Sequence, residues 1–298
     1  MKSFISNEEV SNTDNVIRLE LELTSVCNLE CPLCLRTLHS ELKSKVKYRS
    51  KEEILSSIEQ YKNLKYITIA GPISEPSTHP EFFHILGVLI KRGFDISLFI
   101  NGDTHNDVYY KRLGLLIRGQ KVKVYFTICG STQELHQKYR VGSNLENVLR
   151  RYNIVQKLSR ETVLTYIVFE YNQKDFLDHK EEFEKKYNLE SFYTLPVQEH
   201  FNIKELSKNG IHLPKEEHLL YLNKIDKNDK EDIICPAKEY QFRVLDHQGK
   251  PWYCSLQRLF GESHCFECSK RNAEVLRNNN IYHLAEPEND TSELGLRL

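Results

Sequence analysis

The chain has 298 residues, 41 Lys plus Arg against 42 Asp plus Glu, and a formal net charge of −1. That length fits one large domain, or one domain with a small appendage. The balanced charge supplies no global basic field for nucleic acid, and it lacks the acidic excess of a disordered chain.

Residues 1–15 are polar and read as a loose arm, with no apolar signal core. No stretch of the chain approaches a membrane span. A reducing, cytoplasmic setting is expected, where eight cysteines, seven of them in two groups, serve as metal ligands rather than disulfides. The alternating run Ile17-Arg-Leu-Glu-Leu-Glu-Leu-Thr24 predicts a strand over 16–24. Just past it stands Cys27-Asn-Leu-Glu-Cys31-Pro-Leu-Cys34, spaced Cys-x3-Cys-x2-Cys. Three thiolates from one loop hold a metal or cluster and leave one position open for chemistry; half of a zinc site, completed by a remote residue, is the alternative. Residues 40–51 are basic and aperiodic. They read as a solvated connector, or as a surface segment covering an active site.

From residue 52 the chain alternates. Helices are expected at 52–62, 80–92, 106–118, 132–158 and 174–187, and strands at 66–70, 95–100, 122–128, 163–169 and 190–196. Strands alternating with helices imply βαβ units and a parallel sheet, and six units are too few for a closed eight-stranded barrel. In parallel sheets ligands bind at the C-terminal strand ends. Those ends carry several candidates. Residues 71–82 form a Pro-rich turn into a helix, with Ser77 or Thr78 as N-cap and His79 structural. Asn101-Gly102 reads as a turn. In the 122–128 strand, Val122, Val124, Phe126 and Ile128 share one face, while Lys123, Tyr125, Thr127 and Cys129 share the other, and one of the two lines the interior. Cys129 is the cysteine left over from both groups. It is a small buried residue, or a thiol donating a hydrogen atom. Arg140 is a surface helix arginine or a ligand contact, and Asn172 caps a helix or reaches a ligand.

Residues 201–232 are polar and read as a connector with one helix near 214–224. Cys235 follows, then Cys254 after 18 intervening residues, Cys265 after ten and Cys268 after two. Two apolar runs around Asp246-His-Gln-Gly249 predict a hairpin between the first two. Four thiolates make a closed site that suits zinc or an iron–sulfur cluster equally by ligand count.

The cysteine loop, its strand context and Cys31-Pro32 resemble the radical S-adenosylmethionine (radical SAM) superfamily. The resemblance implies an α/β fold: a partial (β/α)6 TIM-like barrel over 1–200, a connector over 201–232, and a small C-terminal β-hairpin plus helix auxiliary-cluster domain over 233–298. It implies that Cys27, Cys31 and Cys34 hold a [4Fe–4S] cluster whose fourth iron chelates SAM, and that reductive cleavage yields a 5′-deoxyadenosyl radical. Leu33 stands where relatives carry an aromatic near adenine, keeping the apolar contact without the stack. Ser74, Glu75 and Pro76 resemble the family's Gly-Gly-Glu-Pro segment, which binds the SAM amino group, with Ile73-Ser74 replacing the glycines. Asn101, Arg140 and Asn172 match strand-end positions near SAM or substrate. Thr127 and Ser131 flank Cys129, which stands where an Asp is usual. Radical epimerases of the superfamily are thought to finish by such a thiol donating a hydrogen atom.

The second cysteine group is similar to the short "twitch" form of the SPASM domain, implying one auxiliary [4Fe–4S] cluster on Cys235, Cys254, Cys265 and Cys268, with structural zinc as the alternative. The implied activity is hydrogen-atom abstraction from a C–H of a sugar, aminocyclitol or peptide, completed by oxidation or epimerisation. An electron donor such as flavodoxin or ferredoxin is implied as partner, and neither a membrane nor nucleic acid is expected. No winged-helix extension precedes the barrel, which disfavours a leader-peptide substrate. Alternatives are a SPASM-type peptide maturase, an RNA- or nucleotide-modifying radical enzyme, and a non-catalytic zinc-binding interaction protein.

Overall fold

The computed structural model describes residues 16–193 except positions 33, 39–42, 44, 45, 72 and 188, together with Thr13, Phe242–Leu245, Gln248 and Pro251–Trp252. The strands are β1 (Arg18–Leu21), β2 (Tyr66–Ile69), β3 (Asp95–Ile100), β4 (Val122–Ile128), β5 (Thr162–Ile167), β6 (Leu189–Tyr193), β7 (Phe242–Leu245) and β8 (Pro251–Trp252). The helices are α1 (Leu35–Leu38), α2 (Lys51–Glu59), α3 (Phe82–Lys91), α4 (Asp107–Ile117), α5 (Gln133–Tyr139), α6 (Leu145–Gln156) and α7 (Gln173–Lys186).

One sheet runs β6-β5-β4-β3-β2-β1-β7-β8. Strands β1 to β6 are parallel neighbours in chain order, as βαβ units require. The expected hairpin is present, with Val244 opposite Trp252 and Leu245 opposite Pro251. Its first strand also pairs in parallel with β1, Arg18 beside Phe242 and Leu21 beside Leu245. The described hairpin therefore extends the barrel sheet past its first strand. The connector and the helix expected at 214–224 lie outside the described residues, as do Cys235, Cys254, Cys265 and Cys268.

Side-chain alternation sorts the strands into two faces. Leu19, Leu21, Ile67, Ile69, Leu98, Val124, Phe126, Ile128 and Leu164 pack in one core with residues of the flanking helices such as Ile54, Ile85, Leu113, Val148 and Phe183. The opposite face of β1 to β5 lines the barrel interior. Lys123, Tyr125, Thr127 and Cys129 therefore point inward, which the alternating pattern of β4 left undetermined.

Helix starts follow ordinary capping chemistry. Ser50 Oγ accepts the Glu53 N–H at 3.1 Å and Glu53 Oε2 accepts the Ser50 N–H at 2.7 Å, a capping box for α2. Asn106, Thr132 and Asn144 each accept a backbone N–H at the start of α4, α5 and α6. The single helical region expected over 132–158 is two helices. Gly142, at φ +92°, takes a conformation that side chains disfavour, and Asn144 restarts the helix. The expected N-caps Ser77 and Thr78 are also corrected. Glu75 caps the 3-10 turn Pro76–Thr78, and Glu81 precedes α3 without a side-chain cap bond. His79 is structural as expected, bonded at Nε2 to Arg49 O at 2.7 Å and accepting the Glu81 N–H at Nδ1.

Gly102 ends β3 with φ +79°, and a Cβ there would lie 2.7 Å from Phe126 Cδ1. Gly102→Ala is expected to cost ~2 kcal/mol or more through backbone strain and the clash. Urea unfolding of the two proteins measures it; an unchanged midpoint would contradict this account of the turn.

Candidate active site

The cysteine loop leaves the C-terminal end of β1 and is fastened on several sides. Thr24 bridges to Tyr48, and its Oγ1 donates to Lys47 O at 3.0 Å while accepting the Val26 N–H at 3.1 Å. Ser25 N–H donates to Lys47 O, and Arg49 N–H to Leu23 O. The described part of the basic segment at 40–51 thus runs against the start of the loop.

The loop after β2 supplies the next fastening. Glu75 N–H donates to Val26 O at 2.8 Å, and Thr78 Oγ1 reaches the same carbonyl at 3.3 Å. The Glu75 carboxylate is buried. Its Oε2 accepts the Asn101 N–H at 2.7 Å, and its Oε1 accepts the Ser77 N–H at 3.2 Å and the Ser77 hydroxyl. Burial pushes its pKa up, and these donors oppose the shift. Asn101 then carries the connection onward. Its Nδ2 donates to Asn28 Oδ1 at 2.7 Å, its Oδ1 accepts the Asp103 N–H at 2.9 Å, and Asn28 Nδ2 donates to Asp103 O at 3.2 Å. Asn28 lies between the first two cysteines, and nothing in the sequence marked it apart from its place in that loop. On the far side Glu30 N–H donates to Val141 O at 3.0 Å, and Arg36 to Leu29 O at 3.2 Å.

Inside this frame Cys27, Cys31, Cys34 and Cys129 pack in one apolar cluster with Leu29, Tyr139, Ile167, Phe169 and Tyr171. Leu33 lies outside the described residues. None of the four is in a disulfide. Burial raises Cys27 to about 11 and Cys129 to about 12, and it raises Cys31 and Cys34 as well. Protonated thiols are therefore the resting form, and a metal must displace the protons. Among the described residues no three His, Cys, Asp or Glu side chains already stand as a metal-holding group. The donor set nonetheless fits an iron–sulfur cluster: three soft sulfur ligands from one short loop, in an apolar pocket, with no fourth ligand from that loop.

Arg140, half-buried at the end of α5, is the cation of this pocket. Its charge favours the ionised form of both Cys129 and Cys31, opposing the effect of their burial. Its Nε is buried without a hydrogen-bond partner. Of the other expected site residues, Ser74 Oγ is buried without a partner, Pro76 starts the buried 3-10 turn, and Thr127 Oγ1 accepts the Thr165 hydroxyl at 2.9 Å. Asn172 is fully buried and neither caps α7 through its side chain nor projects outward; its Nδ2 donates to Cys129 O at 2.8 Å and Ile167 O at 2.9 Å, and its Oδ1 accepts the Phe169 N–H at 2.6 Å. Ser131 is held by Asp175, which accepts both its N–H at 2.8 Å and its hydroxyl. Both residues brace strand ends from behind the pocket.

His136 was not singled out by its sequence context. It is fully buried, and its Nδ1 accepts the Cys129 N–H at 3.2 Å while Nε2 faces Ser143 Oγ at 3.0 Å. Burial, reinforced by the Arg140 charge, lowers its pKa to about 3.

The radical SAM superfamily profile matches residues 21–183. The tungsten-containing aldehyde ferredoxin oxidoreductase cofactor-modifying protein of Pyrococcus furiosus is 35% identical over 98 residues, 33% of this chain and 27% of that protein. The match thus spans about a quarter of the curated relative's length. Streptococcus suis SuiB, solved with S-adenosylmethionine, is similar in fold with a TM-score of 0.57 at 10% identity, covering 82% of this chain and 61% of that one. The anSMEcpe structure with bound AdoMet gives 0.54 at 18% identity, covering 80% and 74%. No helix among the described residues is long and apolar enough to cross a membrane.

The His136 shift gives a pH test. A histidine whose folded pKa lies below the ordinary 6.5 contributes stability that is full above 6.5 and is lost as pH falls towards the folded value. Moving from pH 7.5 to pH 5 is expected to cost the wild type ~2 kcal/mol more than His136→Gln, from one and a half pH steps below the free value. Equal losses in urea unfolding would show that His136 is not held neutral.

Proposed function

This chain belongs to the radical SAM superfamily, and we propose that it cleaves S-adenosylmethionine reductively and uses the resulting 5′-deoxyadenosyl radical to abstract a hydrogen atom from a substrate C–H. One observation carries the reading. The three thiols of the 27–34 loop and the Arg140 guanidinium share one apolar pocket at the C-terminal mouth of a parallel sheet. Cys27, Cys31 and Cys34 would hold a [4Fe–4S] cluster there. When bound, that cluster supplies one electron, drawn from a donor such as flavodoxin or ferredoxin, for breaking the C5′–S bond of SAM.

The chain's own residues supply position and charge. Arg140 offers a cation to the SAM carboxylate, a charge-assisted pairing that the unpartnered Nε supports. Glu75 and Asn101 hold the loop in register with the ends of β2 and β3. Leu29, Tyr139, Ile167 and Phe169 keep water from the reacting centre. Ser74, Pro76 and Thr127 stand at the same strand ends as further cofactor contacts, and Leu33 serves as the apolar contact for adenine.

Abstraction gives 5′-deoxyadenosine and a substrate radical, and two completions are open. For oxidation, Cys235, Cys254, Cys265 and Cys268 would hold an auxiliary cluster, which would supply an acceptor for the substrate electron. Epimerisation takes a hydrogen atom from Cys129, which lies on the inward face of β4 in the cysteine pocket, and the thiyl radical left there is returned to the thiol by one electron from the external donor and one proton. The substrate is a sugar, an aminocyclitol or a peptide. Structures of SuiB bound to its precursor peptide SuiA and of anSMEcpe with the Cp18Cys peptide support the peptide class through likeness of fold.

Two measurements test this. Protein reconstituted without oxygen should hold about eight irons, about four on each cysteine group, and form 5′-deoxyadenosine from SAM and dithionite. Replacing Cys27, Cys31 and Cys34 with Ala should remove about four irons and all 5′-deoxyadenosine; SAM cleavage that survives would overturn the assignment. Zinc in place of the other four irons would remove the electron-accepting role of the second group. Cys129→Ala should keep 5′-deoxyadenosine formation and lose any epimerised product, and an unchanged product would discard the donor role.

A further inference from the structure

We infer that the barrel lumen beneath the cysteine loop binds a small hydroxylated ring, of the sugar or cyclitol class, with the free face of Phe99 as its platform. This rests on the reading of the chain as a SAM-cleaving enzyme, and it selects among the substrate classes that reading leaves open.

The inward side chains stack in levels fixed by strand register. At the bottom the Arg18 guanidinium lies 4.1 Å over the Tyr66 ring and closes the lumen. The next level joins Glu20, Thr68, Ser97 and Lys123, each beside the next in register. Above it come Phe99 and Tyr125, level with Val163 of β5. Thr127 and Thr165 follow, and Cys129 stands one step higher towards the cysteine loop.

Exposure separates this face from the helix-packed one. Glu20, Thr68, Ala70, Ser97, Phe99 and Thr127 are all half-buried, whereas Leu21, Ile69, Leu98 and Val124 on the opposite face are fully buried. The lumen is therefore open chiefly along β2 and β3, while Arg18, Glu22, Tyr125 and Cys129 on the same face are buried. On the β5 side, Val163, Thr165 and Ile167 are buried and close it.

The aromatic pair has one open side. Phe99 and Tyr125 stack with centroids 4.4 Å apart and planes 4° apart, so each covers one face of the other. The second face of Phe99 turns towards β2, where the register that pairs Ile69 with Leu98, carried one step on, gives Ala70, followed by Gly71. Neither has a side chain large enough to cover a phenyl ring, and the fully buried Glu22 and the Ser74 hydroxyl bound that space at Gly71. Thr68 and Ser97 place hydroxyls one level below that space.

This lining matches one chemistry. A saturated ring bearing hydroxyls presents C–H groups on its face and donors and acceptors around its rim. An aromatic face takes the C–H side, and Ser and Thr hydroxyls, each both donor and acceptor, take the rim. Glu20 and Lys123 already engage neighbours, so recognition falls on the hydroxyls and the ring. An extended peptide is commonly bound through backbone hydrogen bonds at an open strand edge. Here β1 to β5 are each paired on both sides, so the lumen offers side chains only. The polar level at Glu20, Thr68, Ser97 and Lys123 is equally unsuited to a lipid chain.

Saturation-transfer NMR on the full, reconstituted protein with SAM tests the site. The probes are glucosamine, myo-inositol and an N-acetylated Ala-Ser-Ala amide. The ring C–H protons of the first two should be saturated and the peptide should not. Phe99→Leu keeps the bulk but removes the face, and Ala70→Leu fills the space beside it; either should weaken ring saturation about fivefold, as expected for a lost aromatic contact. Far-UV circular dichroism establishes that each variant is folded, and the wild-type comparison of rings with peptide stands without them. Absence of ring saturation in the wild type, saturation of the peptide instead, or full ring saturation in both folded variants would overturn the proposal. SAM binding is followed separately by equilibrium dialysis. Its loss with ring binding intact would count against the enzyme reading and not against this site.

Discussion

The buried carboxylate of Glu75 is the constraint on which the site depends. A carboxylate out of water is costly unless donors surround it. Here Asn101 N–H, Ser77 N–H and the Ser77 hydroxyl do so. Because those donors belong to two different strand ends, satisfying the charge also fixes the end of β2 against the end of β3. The Glu75 backbone N–H does the same for Val26, one residue before the first cysteine. One residue thus sets the relative positions of three adjacent strand ends. The cysteine loop inherits that geometry, since Asn28 is bonded to both Asn101 and Asp103.

The rest of the pocket wall is built by the same device at other strand ends. Asn172 ties the Cys129 and Ile167 carbonyls together, so the ends of β4 and β5 move as one. Asp175 gathers Ser131 and, at 2.7 Å, the Tyr166 hydroxyl. His136 holds the Cys129 backbone from the helix side. Asn172 and His136 are buried, Ser131 and Asp175 are half-buried, and each has its partners, which is the condition under which such a network rigidifies rather than destabilises. Arg140 Nε and Ser74 Oγ depart from that pattern at the pocket, and polar groups left over at a strand-end pocket are where a ligand is expected.

The two faces of the sheet divide the labour. The helix-packed face is apolar and closed, and it contributes stability. The inward face of β1 to β5 carries charge, hydroxyls and aromatics, and β7 extends the sheet by pairing with β1. A lumen open chiefly along β2 and β3 and closed along β5 places any occupant beneath the cysteine loop, on the same face as the inward Thr127 and Cys129.

Much of this was legible in the sequence. The period-two runs and their helical spacers gave the order of β1 to β6, and β3 and β4 at their observed limits, because strand alternation and helix periodicity are local properties. The Cys-x3-Cys-x2-Cys spacing gave the loop and its ligand chemistry for the same reason. Three matters needed the tertiary structure. Alternation defines two faces of β4 but not which one meets the helices, so the inward turn of Cys129 waited on packing. The hairpin was visible from its turn residues, but its parallel pairing with β1 joins residues over two hundred positions apart and has no local signal. Asn172 and Ser131 read as ligand contacts because their residue types suit both solvent-facing and buried bonds. Only the position of Cys129 O, Ile167 O and Asp175 around them decided that their hydrogen bonds are spent inside the protein.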